Sequence, residues 1–179
     1  MSYKTPILLG LLVAGMGAGF GVYKFQFPYG GRTCYLPCTL MALAMYAPDH
    51  GGWYPLDCAT YADCLRELYP KYLQDPKLLA GLSGDRKRVA DLLSRRPASF
   101  STNDTSWIYV PGFRRDDLPP VAILWEAREG LQFNGRRRDG YAVGMSDGSE
   151  RQIPQRDWKT FSEEQAKLRA AVLASRPRK

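Results

Sequence analysis

Apolar positions along this chain change period twice. Residues 6–23, "PILLGLLVAGMGAGFGVY", carry no charge and are flanked by Lys4 and Lys24. As a helix they would extend about 27 Å at 1.5 Å per residue, close to the hydrocarbon thickness of a bilayer. From residue 36 the spacing becomes helical and one-sided: Leu36, Leu40, Leu43, Ala44 and Ala47 share a face, which Pro48-Asp49 stops. A "DHGGWYP" turn follows, and "TYADCLRELY" then places Tyr61, Cys64, Leu65, Leu68 and Tyr69 on one stripe. Thr60 with Asp63 three residues on resembles a capping box. Pro70 ends or kinks that helix, and "YLQDPKLL" is a short connector. A basic helix, "GDRKRVADLLSRR" (84–96), turns Val89, Leu92 and Leu93 inward.

Beyond Pro97 the period drops to that of strands. "SWIYV" (106–110), "PVAILWE" (120–126), "GLQFN" (130–134), "GYAVGM" (140–145) and "ERQI" (150–153) are separated by turn-rich segments. Asp147-Gly148 predicts a tight hairpin turn, because Gly accepts positive φ. A last helix, "WKTFSEEQAKLRAAVLAS", spaces Trp158, Phe161, Leu168 and Val172 as core residues. The predicted architecture is α+β. A transmembrane helix continues into a helical neck, followed by an antiparallel β-meander with flanking short helices and a C-terminal helix. The expected boundaries are 1–24 for the membrane anchor, 25–57 for the neck helix and turn, 58–175 for the headpiece and 176–179 for a basic tail.

Within the N-terminal segment, Gly10, Ala14, Gly17 and Gly21 fall at i, i+4, i+7 and i+11, a small-residue face suited to close helix packing in lipid. The same segment fits a cleaved signal peptide, with Lys4 as its charged end and Ile7 to Ala14 as its apolar stretch. Flanking charge is nearly balanced, so the cysteines decide orientation. Cys34, Cys38, Cys58 and Cys64 are even in number, which suits disulfides in an oxidising compartment and allows three connectivities. Free buried thiols and a zinc site are the rivals, and zinc lacks its Cys-x-x-Cys spacings. The turn into the second helix favours a local Cys58–Cys64 bridge. Cys34 and Cys38, one helical turn apart, are borderline in geometry. The expected location is therefore a single-pass protein of the inner (cytoplasmic) membrane with its headpiece on the periplasmic, extracytoplasmic side.

The stretches "ALAMYAPDHGGWYP", "CLRELYPKYLQDPKLL", "WIYVPGF", "LPPVAILWE" and "GYAVGMSDGSERQI" carry a resemblance over roughly residues 36–160. They resemble the type IV pilin-like, bacterial pseudopilin-like proteins. The most specific parts are "LYPKYLQDPK" and the Asp147-Gly148 hairpin. The resemblance implies a pilin-like headpiece. The prepilin cleavage motif is absent: no Phe follows a processing Gly, and residues 6–23 hold no acid. The histidine that often precedes the hairpin is also absent from "FNGRRRDGY".

Composition adds a partner class and removes others. Of 179 residues 45% are hydrophobic and 12% aromatic, enough for a packed core, and the net charge is +7. The arginine clusters are scattered through loops without interleaved aromatics, which argues against nucleic acid and leaves anionic lipid or an acidic protein. His50 is the sole imidazole and sits in a turn, where polar residues and glycines belong, with Trp53 and Tyr54 packing the cap. Glu126, Glu129, Asp116 and Asp117 are the conceivable hydrolytic carboxylates, but all neighbour arginines and read as surface ion pairs. No residue is assigned a catalytic, cofactor-binding or metal-ligating role. The expected function is a non-enzymatic, membrane-anchored, extracytoplasmic structural or accessory subunit. It would bind the lipid bilayer and the integral membrane subunits of a respiratory, photosynthetic or secretion complex. The alternative is a minor pseudopilin of a type II secretion or type IV pilus system.

Overall fold

The computed structural model describes residues 17–25, 35–95, 100–130 and 139–176. Helix α1 (Tyr35–Asp49) is followed by α2 (Tyr61–Arg66), a 3-10 turn at Pro76–Ala80 and α3 (Arg86–Ser94). Strands β1 (Trp107–Tyr109), β2 (Ala122–Glu126), β3 (Tyr141–Met145) and β4 (Glu150–Ile153) come next, and α4 (Trp158–Ala174) closes the order. The four strands form an antiparallel meander in sequence order.

The stripe read from periodicity is the buried face of α1. Leu36, Leu40, Leu43 and Ala47 are at most 5% exposed and lie against β2 and β3. The approach is closest at Gly144, where an added Cβ would stand 2.6 Å from Leu40 Cδ2. Alternation along β3 divides the side chains between two layers. Ala142 joins the core under α1, while Tyr141, Val143 and Met145 pack with Trp158 and Phe161 of α4. Trp158 stacks on Tyr141 at 3.8 Å between ring centroids.

β2 does not keep strict alternation, because its register shifts between Ala122 and Leu124. The irregularity puts Ala122 and Trp125 in the same cluster, three residues apart. At the same place α4 bonds the Ala122 backbone. Gln165 Oε1 accepts from the Ala122 N–H at 2.7 Å, and Arg169 Nη1 donates to its carbonyl at 3.1 Å.

At the β3–β4 turn Gly148 has φ +84 and Asp147 Oδ1 accepts from both the N–H and the hydroxyl of Ser149. No atom lies within 4 Å of an added Cβ at Gly148. Gly148→Val should therefore cost only backbone strain, about 1–2 kcal/mol, read as a shifted denaturation midpoint without loss of the fold. A larger loss would mean that the turn makes contacts beyond its own backbone.

The expected transmembrane architecture is corrected. Among the described residues no helix is long and apolar enough to cross a membrane. The helical part of the N-terminal segment that is described, residues 17–25, would extend only about 14 Å. Helix α1 spends its apolar face on the sheet. The single-pass inner-membrane location and the continuous membrane-to-neck helix, both built on residues 1–24, fall with that finding. Gly10 and Ala14 of the proposed packing face lie outside the described residues. Gly17 and Gly21 are within them, with nothing inside 4 Å of an added Cβ. Most of the expected strand 130–134 and Cys34 likewise lie outside the described residues.

Candidate functional site

Helix α1 ends where the sequence placed its stop, and the ending builds a cleft. Gly51 and Gly52 take φ of +63 and +86, letting the Gly52 N–H return to the Ala47 carbonyl at 2.8 Å. This reversal delivers His50, Trp53 and Tyr54 to one side of the helix end. The chain behind the turn is fixed on both sides. Tyr54 N–H donates to the Phe113 carbonyl, and the Tyr54 hydroxyl donates to the Ser146 carbonyl at 2.5 Å. Burial pushes that hydroxyl's pKa up to about 12. Tyr109 donates to the Pro55 carbonyl at 2.8 Å.

The opposite wall comes from Leu56 and Asp57 of the loop leading into α2 and from Glu67, which caps its end. Thr60 caps the start of α2, its hydroxyl oxygen accepting from the Asp63 N–H at 3.2 Å. The disulfide Cys58–Cys64, with Cα atoms 5.4 Å apart, fastens the incoming loop to the first turn of the helix. Glu67 follows at the helix end. Tyr46, His50, Trp53, Tyr54, Leu56, Asp57 and Glu67 enclose a cleft of about 380 Å³.

Inside the cleft the aromatic groups are ordered by one another. The Tyr46 hydroxyl donates to Glu67 Oε2 at 2.7 Å, and burial followed by this bond holds its pKa above the usual tyrosine range. The His50 ring lies flat on the Tyr46 ring, centroids 3.6 Å apart, and Tyr72 meets both edge-on. His50 Nδ1 is 2.8 Å from the Tyr46 carbonyl. A carbonyl only accepts, so Nδ1 carries the proton and donates. Asp49 beside this stack accepts from Lys71 and Tyr72, and the Lys71 bond leads in holding its carboxyl below the ordinary value.

The disulfide makes the cleft wall testable. Its loop spans a sequence separation of 6, so chain entropy assigns it about 2 kcal/mol. A Cys58→Ala/Cys64→Ala chain should lose about that much in urea unfolding. An unchanged midpoint would show that Thr60 and the packing of Leu65 and Leu68 hold the loop alone.

The structure distributes the other sequence candidates differently from one another. Cys58 and Cys64 are joined, as the turn geometry favoured, while Cys38 is a half-buried free thiol on α1. His50 stays an exposed turn residue, but stacked and hydrogen-bonded. Asp116 and Asp117 pair with Arg114 and Arg176, whose guanidinium groups lie over Trp53. Glu126 is the exception to the surface reading. It is 1% exposed, and its carboxylate accepts from the Leu82 N–H, the Ser83 N–H and the Ser83 hydroxyl. Asp104 is similarly enclosed, accepting from Ser101 and Arg88 at the edge of a second, polar cleft. Among the described residues no three His, Cys, Asp or Glu side chains converge as a metal site. Sequence reasoning missed Glu67 and the Tyr46–His50–Tyr72 stack. The i, i+4 spacing of Tyr46 and His50 was the only local signal. No family model, no curated protein and no solved structure matches the chain.

Proposed function

We propose that the chain is a non-enzymatic structural or accessory subunit, acting by protein contact within a larger assembly through the cleft between the end of α1 and α2. The observation that carries this reading is the cleft itself. It is open, aromatic and edged by exposed carboxylates, and its walls are locked by the disulfide and by the hydroxyls of Tyr54 and Tyr109. Pre-ordered aromatic walls of this kind present binding area at little entropic cost.

The groups best suited to chemistry support the same reading by what they do instead. His50 gives its Nδ1 proton to the helix end, and Glu126 holds a loop to the sheet. Helix α1 laid across an antiparallel meander also supports the pilin-like resemblance and its structural role. Native sizing of extracts from the producing cells tests the proposal. The chain should migrate well above the 20.2 kDa of a single copy. Migration at 20.2 kDa in every mild extract would overturn it.

A further inference from the structure

We propose that the occupant of this cleft is a lysine or arginine side chain of a different polypeptide, an inference that rests on the subunit reading above. Charge is the first argument. The chain carries +7, yet the cleft walls hold Asp57 and Glu67 and no lysine or arginine. Among the described residues no basic side chain lies within ion-pair distance of either carboxylate. The neighbouring acids differ: Asp49 is taken by Lys71, and Asp63 faces Arg66 at 3.6 Å.

Geometry is the second argument. The Tyr46 hydroxyl fixes Glu67, which lines the cleft, through Oε2 and leaves Oε1 beside the disulfide. Cys58 Sγ stands 3.6 Å from that oxygen, but as a disulfide sulfur it has no proton to give. A guanidinium or ammonium reaching that oxygen would make a charge-assisted bond. The stem of such a side chain is apolar and suits Leu56 and the face of His50 turned away from Tyr46, since Arg114 and Arg176 already lie over the Trp53 ring. A volume of about 380 Å³ is ample for one such side chain.

The test uses the full oxidised chain and two probes, acetyl-Gly-Arg-Gly-amide and the same peptide with neutral citrulline in place of arginine. Binding is followed by NMR through the Trp53 indole N–H. The arginine peptide should shift that signal with saturation, more weakly as salt is raised, and the citrulline peptide should bind roughly tenfold less tightly. Glu67→Gln keeps an acceptor for Tyr46 and so preserves the fold. It should weaken the arginine peptide by a similar factor, and Asp57→Asn should weaken it less. Equal binding of both peptides, or no saturable shift with arginine, overturns the inference. So does the same shift on concentrating the protein alone, which would assign the cleft to a second copy. A silent peptide with a chain still found in a large native assembly removes only the cationic occupant. A single-copy chain in native extracts removes the subunit reading whatever the peptide does.

Discussion

Glu126→Ala should lower stability by about 3 kcal/mol, or roughly 10 °C in melting temperature, because it strips the acceptor from two backbone N–H groups and a serine hydroxyl. The carboxylate joins the end of β2 to residues 82 and 83, across a separation of more than forty residues. The same loop is bound from the other side by the Trp107 indole, which donates to the Leu78 carbonyl, and by the Thr105 hydroxyl on the Leu79 carbonyl. Loosening one end therefore loosens the whole connection between α3 and the sheet. Glu126 also sets a pH signature. Burial outweighs the bonds from serine and backbone and raises its pKa above the ordinary 4.5. The folded state then holds the proton more tightly than the unfolded state. Stability falls as pH rises from the ordinary value through the raised one. Glu126→Gln should remove that slope from chemical denaturation curves taken across the window. A wild-type slope of the opposite sign would contradict the assignment.

Gly144→Val should disrupt the packing of α1 on the sheet, at a cost of about 3 kcal/mol. Its Cβ would fall 2.6 Å from Leu40 Cδ2 and 2.9 Å from Cδ1, and Leu40 is itself 5% exposed with no free direction in which to move. Relief requires α1 to lift from β3. Because α1 carries Tyr46 and His50, the lift should also show at the cleft, as altered Trp53 fluorescence in a chain that still unfolds cooperatively. The paired change Gly144→Val/Leu40→Ala removes the clash at the cost of Leu40's own burial. The pair should be clearly less destabilised than the sum of the two single changes, whereas strict additivity would place the strain elsewhere in β3.

Local patterns were legible in the sequence wherever one short segment held the whole cause. The apolar stripe of α1, the Thr60 cap with Asp63, the Asp147-Gly148 turn and the Cys58–Cys64 bridge each depend on neighbours within about a dozen residues. Glu126 is different. Its strand ends in "EAREG", which reads as a charged surface loop, and its hydrogen-bond donors lie far upstream. The irregular register at Ala122 has no composition signal either, since Gln165 and Arg169 answer it from another element. The cleft combines both situations. His50, Trp53 and Tyr54 were visible as a turn, but Glu67 and Tyr72 meet them only through the docking of α2 and the segment beyond it. The uncharged run 6–23 predicted a membrane span from length and hydropathy alone. The helices that are described do not provide one.

In the proposed role the cleft, rather than another surface, holds this chain in its assembly. Glu67→Lys places a cation where the inferred partner's cation belongs; Glu67 is exposed, so the only structural cost is the acceptor lost to the Tyr46 hydroxyl, about 1 kcal/mol. The decisive measurement is native sizing of wild-type and Glu67→Lys chains from the same cells, with melting temperatures recorded on the purified proteins. The expected result is a wild-type chain in a large complex and a mutant chain at the size of a single copy that still unfolds cooperatively, about 2–4 °C lower in melting temperature for the lost Tyr46 bond. A folded Glu67→Lys chain that stays in the complex at wild-type level would contradict the account.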